Sequence, residues 1–190
     1  MKKLAVFASG SGTNFEAIAQ ACREGRIDAE VVLLVCDNPS AKVLDRADRF
    51  GIPAITFVPR TYYNKSEYEE QIVRRLKAAN VDLICLAGYM RIVGETLLDS
   101  YGGRIINIHP ALLPSFKGAH GIRDAFDYGV KVFGVTIHFV DETLDGGRII
   151  AQRAFEYDGD DIDEVEARIH AVEHELYPET IQKLIEQNKI

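Results

Sequence analysis

The sequence lacks the cysteine and charge patterns that mark several classes of protein. It contains only three cysteines in 190 residues, and none belongs to a CxxC pair, so neither a disulfide framework nor a zinc site is predicted. It has no run of basic residues, and its formal net charge is −7. Because phosphate backbones and anionic membrane surfaces attract positive charge, we expect neither nucleic acid nor a membrane among its partners.

Long apolar segments and low-complexity tracts are also missing. The apolar run after Met1 gives way within a few residues to Gly and Ser, which is too short for a signal peptide or a membrane-spanning helix. Hydrophobic residues make up 47% of the chain and charged residues 27%, as in an ordinary globular protein. We therefore expect one cytoplasmic domain that comprises residues 1–190.

Short apolar runs alternate with segments of helical spacing through most of the chain. Predicted strands cover residues 4–8, 31–36, 52–57, 82–87 and 104–108, and predicted helices cover 15–23, 41–50, 66–79, 96–101 and 120–128. This order predicts an α/β protein with a Rossmann-like, mostly parallel central sheet flanked by helices. Strands at 132–140 and 148–157 would form an antiparallel C-terminal hairpin. The last helix covers 165–185, and Pro178 predicts a break or a second start within it.

A glycine-rich turn, Ser9 to Asn14, separates the first strand from the first helix. Such a turn exposes free backbone N–H groups at a helix start, where an anion such as phosphate binds well. The third glycine of a dinucleotide fingerprint is replaced by Phe15, and no Gly-Lys-Ser/Thr follows, so a mononucleotide or sugar phosphate fits better. Alternatively, the glycines only form a tight turn and Thr13 or Asn14 caps the helix. Asp37, where a ribose-binding acid could stand, is interpreted as part of a turn.

Asn107 and His109 form the most informative pair in the sequence. Two positions apart on one strand, they point to the same side, so an amide donor lies next to an acid or base. Pro110 cannot continue a central strand, so the chain leaves the sheet there, at the carboxyl edge where open parallel sheets bind ligands. A lone histidine at such a position more often has a structural role, which is the alternative interpretation.

Two more loops are of interest, and the first of them leaves its strand at the same predicted edge. Residues 88–93 combine aromatic, thioether and guanidinium groups and could line a pocket for a flat heterocycle; alternatively, Met90 and Ile92 belong to the core and Arg91 is solvated. Asp145 precedes two glycines, which predicts a tight turn that holds its carboxylate rigidly, although such a sequence also occurs in plain hairpins.

Taken together, these motifs resemble the phosphoribosylglycinamide formyltransferases, the folate-dependent enzymes of purine biosynthesis. The resemblance covers nearly the whole chain. It rests on five segments in this order and spacing: Gly10 to Asn14, Ala87 to Ile92, Asn107 to Pro110 with Leu112 to Pro114, Leu144 to Gly147, and Glu173-His174 before Tyr177-Pro178.

The resemblance implies that the chain transfers a formyl group from 10-formyltetrahydrofolate, a cosubstrate, to the amine of 5-phosphoribosylglycinamide. It implies three catalytic residues: Asn107, His109 and Asp145. Residues expected to hold the acceptor are Gly12, Thr13, Asn14 and Glu173. Residues expected to contact the donor are Lys65, Met90, Arg91, Ile92, Val93 and Asn107. Family members often carry arginine where Lys65 stands.

The implied chemistry agrees with these residue types. An amide N–H from Asn107 could stabilise the oxyanion of a tetrahedral intermediate. His109 could pass a proton from the attacking amine to the leaving folate nitrogen, since imidazole titrates near neutrality. A carboxylate at Asp145 would stabilise the imidazolium and could relay protons through a water. This chemistry demands no metal.

Three other interpretations stay open. Methionyl-tRNA formyltransferase uses the same catalytic pattern, but it carries an extra C-terminal domain and needs basic surface for tRNA, which this acidic chain lacks. Formyltetrahydrofolate hydrolase would bring water instead of an amine to the same carbonyl and usually has an additional N-terminal domain. A noncatalytic mononucleotide-binding module would give the three polar residues structural roles only.

Overall fold

Strands and helices alternate in the computed structural model, which describes residues 1–190. The strands are β1 (Lys2–Ala8), β2 (Ala29–Cys36), β3 (Ala54–Thr56), β4 (Leu83–Leu86), β5 (Ile105–His109), β6 (Val132–Phe139) and β7 (Ile149–Glu156). The helices are α1 (Thr13–Arg23), α2 (Val43–Phe50), α3 (Lys65–Ala78), α4 (Glu95–Tyr101), α5 (Gly121–Tyr128) and α6 (Ile162–Glu186), with a short 3₁₀ turn at Pro59–Thr61.

The seven strands form one sheet in the order β3-β2-β1-β4-β5-β6-β7. Strands β1 to β5 pair in parallel, whereas β6 runs antiparallel to both β5 and β7. The predicted fold class, a Rossmann-like sheet with an antiparallel C-terminal hairpin, is confirmed. The strand order reverses between β1 and β4, and a crevice opens outside the carboxyl ends of parallel strands at such a point.

The core has two layers, one on each face of the sheet. Along β1, Leu4 and Val6 face a cluster formed with α1 and α6, while Ala5 and Phe7 face a cluster formed with α3 and α4. This alternation follows from the two-residue period of a strand, and burial on both faces explains why β1 is a continuous apolar run. None of the helices is both long and apolar enough to cross a bilayer.

Helix α6 runs for 25 residues through Pro178, so the predicted break is wrong. A proline inside a helix removes one backbone hydrogen bond and costs about 3 kcal/mol. Packing opposes that cost, because the preceding residue, Tyr177, is fully buried and its hydroxyl donates to the carbonyls of Leu86 (2.9 Å) and Ile106 (3.2 Å). The helix therefore stays attached to β4 and β5 beside the proline.

Candidate active site

A cavity of about 540 Å³ lies outside the carboxyl ends of β1, β4 and β5. Its lining comes from residues 10–14, 86–93, 107–110, 118–119, 138 and 140–145, together with His170 and Glu173. Every residue that the sequence predicted for the site therefore lines this cavity, except Lys65. The glycine loop, loop 88–93 and residues 107–110 meet there because β1, β4 and β5 are parallel neighbours in the sheet. The turn between β6 and β7 brings Asp145 to the same cavity.

The glycine loop is shaped by its own backbone and by α2. Gly12 is the N-cap of α1 and has φ 76°, a left-handed conformation that favours glycine. A Cβ there would also collide with Val43. Arg46 donates from Nε to the carbonyl of Ser11 (2.7 Å) and pairs with Glu16, which holds the loop against α2. No side chain caps α1, so its first N–H groups stay available to a ligand.

Glu173 joins the glycine loop to α6. Its Oε2 accepts hydrogen bonds from Asn14 Nδ2 (3.1 Å) and from His170 Nδ1 (3.0 Å). Only 5% of Glu173 is exposed, and its carboxylate raises the pKa of His170. His170 was not predicted as a site residue, although its position three residues before Glu173 places both on one helix face.

Asn107 and His138 face each other across the β5–β6 ladder. The Nδ1 atom of His138 lies 2.9 Å from the carbonyl oxygen of Phe139 and must donate to it, so Nε2 carries the lone pair and accepts from Asn107 Nδ2 at 3.2 Å. Burial lowers the pKa of His138, which favours this neutral form. The second N–H of the Asn107 amide remains free for a ligand.

The orientation of the His109 ring is set by a backbone carbonyl. Nε2 lies 2.7 Å from the oxygen of Phe116 and must donate to it. Nδ1 lies 3.7 Å from Oδ2 of Asp145. With 3% of the residue exposed, His109 can exchange protons with the cavity only through Nδ1.

Asp145 sits in the tight turn that the two following glycines predicted. Its φ is 48°, an uncommon value for a residue with a side chain, and its Oδ2 accepts from the N–H of Gly118 at 2.8 Å. A Cβ at Gly147 would collide with the carbonyl of Phe139, so the turn packs directly against the end of β6. Its Oδ1 lies 3.8 Å from His138 Nε2, so the carboxylate faces both histidines.

Loop 88–94 forms the opposite wall of the cavity. Met90 is 68% exposed and Ile92 63%, whereas Val93 is buried, so the alternative that Met90 and Ile92 belong to the core is wrong. Arg91 Nε pairs with Asp37 Oδ2 at 2.8 Å. Asp37 is itself buried and holds the loop in place, a role that the turn interpretation did not include.

Lys65 lies beside the cavity rather than on its wall. Its Nζ donates to the carbonyl of Ile92 at 2.9 Å, so it contacts loop 88–94 from outside the cavity. No group of three or more His, Cys, Asp or Glu side chains is close enough to hold a metal ion.

Comparison with known proteins agrees with this geometry. Residues 2–181 match the model of the formyl transferase family. The chain is 53% identical over 189 residues to phosphoribosylglycinamide formyltransferase from Bacillus subtilis, covering 99% of this chain and 97% of that protein. It is 40% identical over 187 residues to the trifunctional purine biosynthetic protein adenosine-3 of Drosophila melanogaster, covering 97% of this chain and 14% of that larger protein.

A solved structure shares the whole fold. The crystal structure of phosphoribosylglycinamide formyltransferase from Bacillus halodurans superposes with a TM-score of 0.95 at 50% sequence identity, and the match covers 98% of this chain and 97% of that one. The resemblance predicted from the sequence is thereby confirmed, and the chain belongs to the formyl transferase family.

Proposed function

We propose that the protein transfers a formyl group from 10-formyltetrahydrofolate to the amine of 5-phosphoribosylglycinamide in de novo purine biosynthesis. The observation that carries the proposal is the convergence of Asn107, His109 and Asp145 in one cavity, between a phosphate-type glycine loop and an exposed apolar loop. The 53% identity to a phosphoribosylglycinamide formyltransferase over 189 residues supports the choice of acceptor.

The acceptor would bind between α1 and α6. Its phosphate would take the free N–H groups at the start of α1 and around Gly12, with Thr13 beside it. The side-chain oxygen of Asn14 is buried without a hydrogen-bond partner, which supports a ligand contact there. Glu173, held by Asn14 and His170, would accept from the donors of the ribosylglycinamide portion.

The donor would lie against the opposite wall, and we therefore call loop 88–94 the donor loop. Exposed side chains of Met90, Ile92 and Leu144 rim the cavity and offer apolar contact to a flat pterin, and Arg91 and Val93 complete that wall. Lys65 would act on the donor mainly through the loop carbonyl to which it donates. The formyl carbonyl would then reach Asn107, which lies between the two walls.

Asn107 would stabilise the oxyanion that forms when the amine attacks the formyl carbon. One of its N–H groups is fixed by His138, so the other is oriented before the reaction begins. A single preorganised donor of this type contributes about 10²–10³ in rate. The stabilising contact strengthens only as negative charge develops on the oxygen, so it acts on turnover more than on binding.

His109 and Asp145 would move the proton. The attacking amine must lose a proton and the leaving folate nitrogen must gain one, so the reaction needs a carrier but no net proton. Nδ1 of His109 can accept that proton, since Nε2 is already donating to Phe116. The carboxylate 3.7 Å from Nδ1 stabilises the imidazolium that results.

A cytoplasmic location, one domain over residues 1–190, and the absence of a nucleic-acid partner stay predictions. They fit an enzyme that acts on small phosphorylated and folate substrates. The net charge of −7 would weaken binding of tRNA, which bears on the methionyl-tRNA formyltransferase alternative.

The test is to incubate the purified chain with 10-formyltetrahydrofolate alone, with 5-phosphoribosylglycinamide, and with methionyl-tRNA. We expect donor consumption only with 5-phosphoribosylglycinamide, accompanied by the N-formylated product. A matched control pair is His109→Ala, expected to be inactive, and His120→Ala, expected to be active because His120 is exposed and does not line the cavity. Formate from donor alone would indicate a hydrolase, and no turnover in any arm would indicate a binding module.

A further inference from the structure

Glu69 is a buried carboxylate that the proposed reaction does not use. It lies on α3, is 2% exposed, and has the apolar neighbours Tyr68, Ile72 and Val73 along the same helix. Burial of a charged group is costly unless hydrogen bonds compensate it. Its contacts therefore indicate why a carboxylate stands there.

Both oxygens of Glu69 accept hydrogen bonds at the point where the donor loop enters α4. Oε1 accepts from the N–H of Gly94 at 2.7 Å, and Oε2 accepts from the N–H of Leu97 at 3.3 Å. Gly94 is the N-cap of α4 and has no side chain with which to cap it. Glu69 thus caps α4 from a neighbouring helix and fixes the end of the donor loop.

Lys65 forms a hydrogen bond with the same loop two residues before Gly94, at Ile92. It stands four residues before Glu69, so both side chains project from one face of α3. Its Nζ donates to the carbonyl of Ile92, and Glu69 accepts from Gly94, on either side of Val93. Two opposite charges on one helix face therefore bind the loop backbone: Lys65 binds the carbonyl of Ile92 and Glu69 binds the N–H of Gly94.

The loop approaches α3 so closely that a side chain at position 94 would force Glu69 or Lys65 to shift. A Cβ on Gly94 would lie 2.7 Å from Glu69 Oε2 and 2.7 Å from Lys65 Cδ. Its φ is −95°, which any residue adopts, so the constraint at this position comes from contact with the side chains of α3 and not from backbone conformation.

The carboxylate is retained in spite of its burial. Burial raises the pKa of Glu69, while the N–H groups of Gly94 and Leu97 and the charge of Lys65 act in the opposite direction. An apolar side chain would fill the same space without the cost of burying charge. The need to bind the N–H groups of Gly94 and Leu97, and not packing of the core, therefore explains why a glutamate stands at position 69.

We propose that Glu69 is a positioning residue that sets the conformation of the donor loop and thereby the affinity for the formyl donor. This inference rests on the proposed function, because it assigns loop 88–94 to donor binding. Glu69 does not line the cavity. Its effect passes through Gly94 and Val93 to the exposed side chains that face the cavity.

The experiment compares Glu69→Gln with the matched control Glu70→Gln in the full chain. Glu70 is adjacent, exposed, and has no hydrogen bond or ion pair through its carboxylate. For Glu69→Gln we expect KM for 10-formyltetrahydrofolate to rise roughly 10- to 150-fold, the loss typical of one charged hydrogen bond. Turnover at saturation and KM for 5-phosphoribosylglycinamide should stay within about threefold of wild type. Glu70→Gln should match wild type throughout.

A second variant perturbs the same contact from the loop. Gly94→Ala would displace the carboxylate of Glu69, so it should raise the donor KM in the same way. If both act through one contact, the double variant should be little worse than either single variant. Calorimetric titration with an unreactive folate analogue gives the same comparison without turnover.

The outcomes separate this inference from the proposed function. An active wild type whose donor KM and analogue affinity are unchanged in both variants overturns the role of Glu69 and leaves the function intact. Equal losses in turnover and in both KM values would indicate a general structural role and would also overturn it. A wild type that neither turns over nor binds the analogue overturns both proposals.

Discussion

Replacing His138 with leucine removes the acceptor that orients the amide of Asn107. The bond joins neutral groups at 3.2 Å, so it is worth about 0.5–1.5 kcal/mol. At about 1.4 kcal/mol per factor of ten, kcat should fall roughly 2- to 12-fold. KM values should barely change, because the lost bond orients a group that acts on the transition state.

The assay is steady-state turnover with both substrates varied, and His138→Gln is the matched control. A glutamine amide can still accept from Asn107 and should retain more activity than leucine does. Wild-type kcat in His138→Leu, or a loss of several hundredfold, would refute the view that His138 only orients the amide.

Stability gives an independent test of the neutral state of His138. Burial lowers its folded pKa below the ordinary value of 6.5, so the unfolded chain takes up the proton more readily. The stability that the neutral ring contributes is present above pH 6.5 and is lost as the pH falls below it. The Tm of wild type relative to His138→Leu should therefore decrease from pH 8 to pH 5.5, and a pH-independent difference would contradict the reasoning.

Three further predictions concern the acceptor side and the core. Gly12→Ala should raise the KM for 5-phosphoribosylglycinamide at least tenfold in steady-state assays, because the left-handed backbone and close packing both exclude a Cβ; an unchanged KM would contradict the phosphate assignment. Glu173→Gln removes the partner that raises the pKa of His170. In thermal melts across pH, the loss of stability relative to wild type should be largest below pH 6.5 and should shrink as the pH rises through the pKa of His170 in the folded protein. Tyr177→Phe leaves two strand carbonyls without their donor and should cost about 1–3 kcal/mol in urea unfolding, and an undiminished midpoint would argue against that anchor.

The sequence predicted the elements of the site because each motif follows a strand. Apolar runs identify strands, and the side chains just after the parallel strands β1, β4 and β5 must meet at one edge. Asp145 follows the antiparallel β6 and reaches the same cavity through the turn between β6 and β7. The two-residue period likewise put Asn107 and His109 on one side. These are local patterns, and local patterns can be read without knowing what packs against them.

What could not be predicted depends on contacts distant in sequence. The partnership of His138 with Asn107 requires the antiparallel register of β5 and β6. Burial of Asp37 under Arg91 and the continuation of α6 through Pro178 depend on packing between elements. In α6 that packing overrides the local preference for a break.

The central claim is that Asn107, His109 and Asp145 act together on one formyl carbon. The most direct measurement is a single-turnover experiment with enzyme in excess over a donor whose formyl group is labelled with ¹³C. It compares the wild type with alanine variants at the three positions. We predict that the label appears on the amine of 5-phosphoribosylglycinamide and that each variant slows its transfer by ~10² or more. Label recovered only as formate, or any of the three variants transferring at the wild-type rate, would contradict the account.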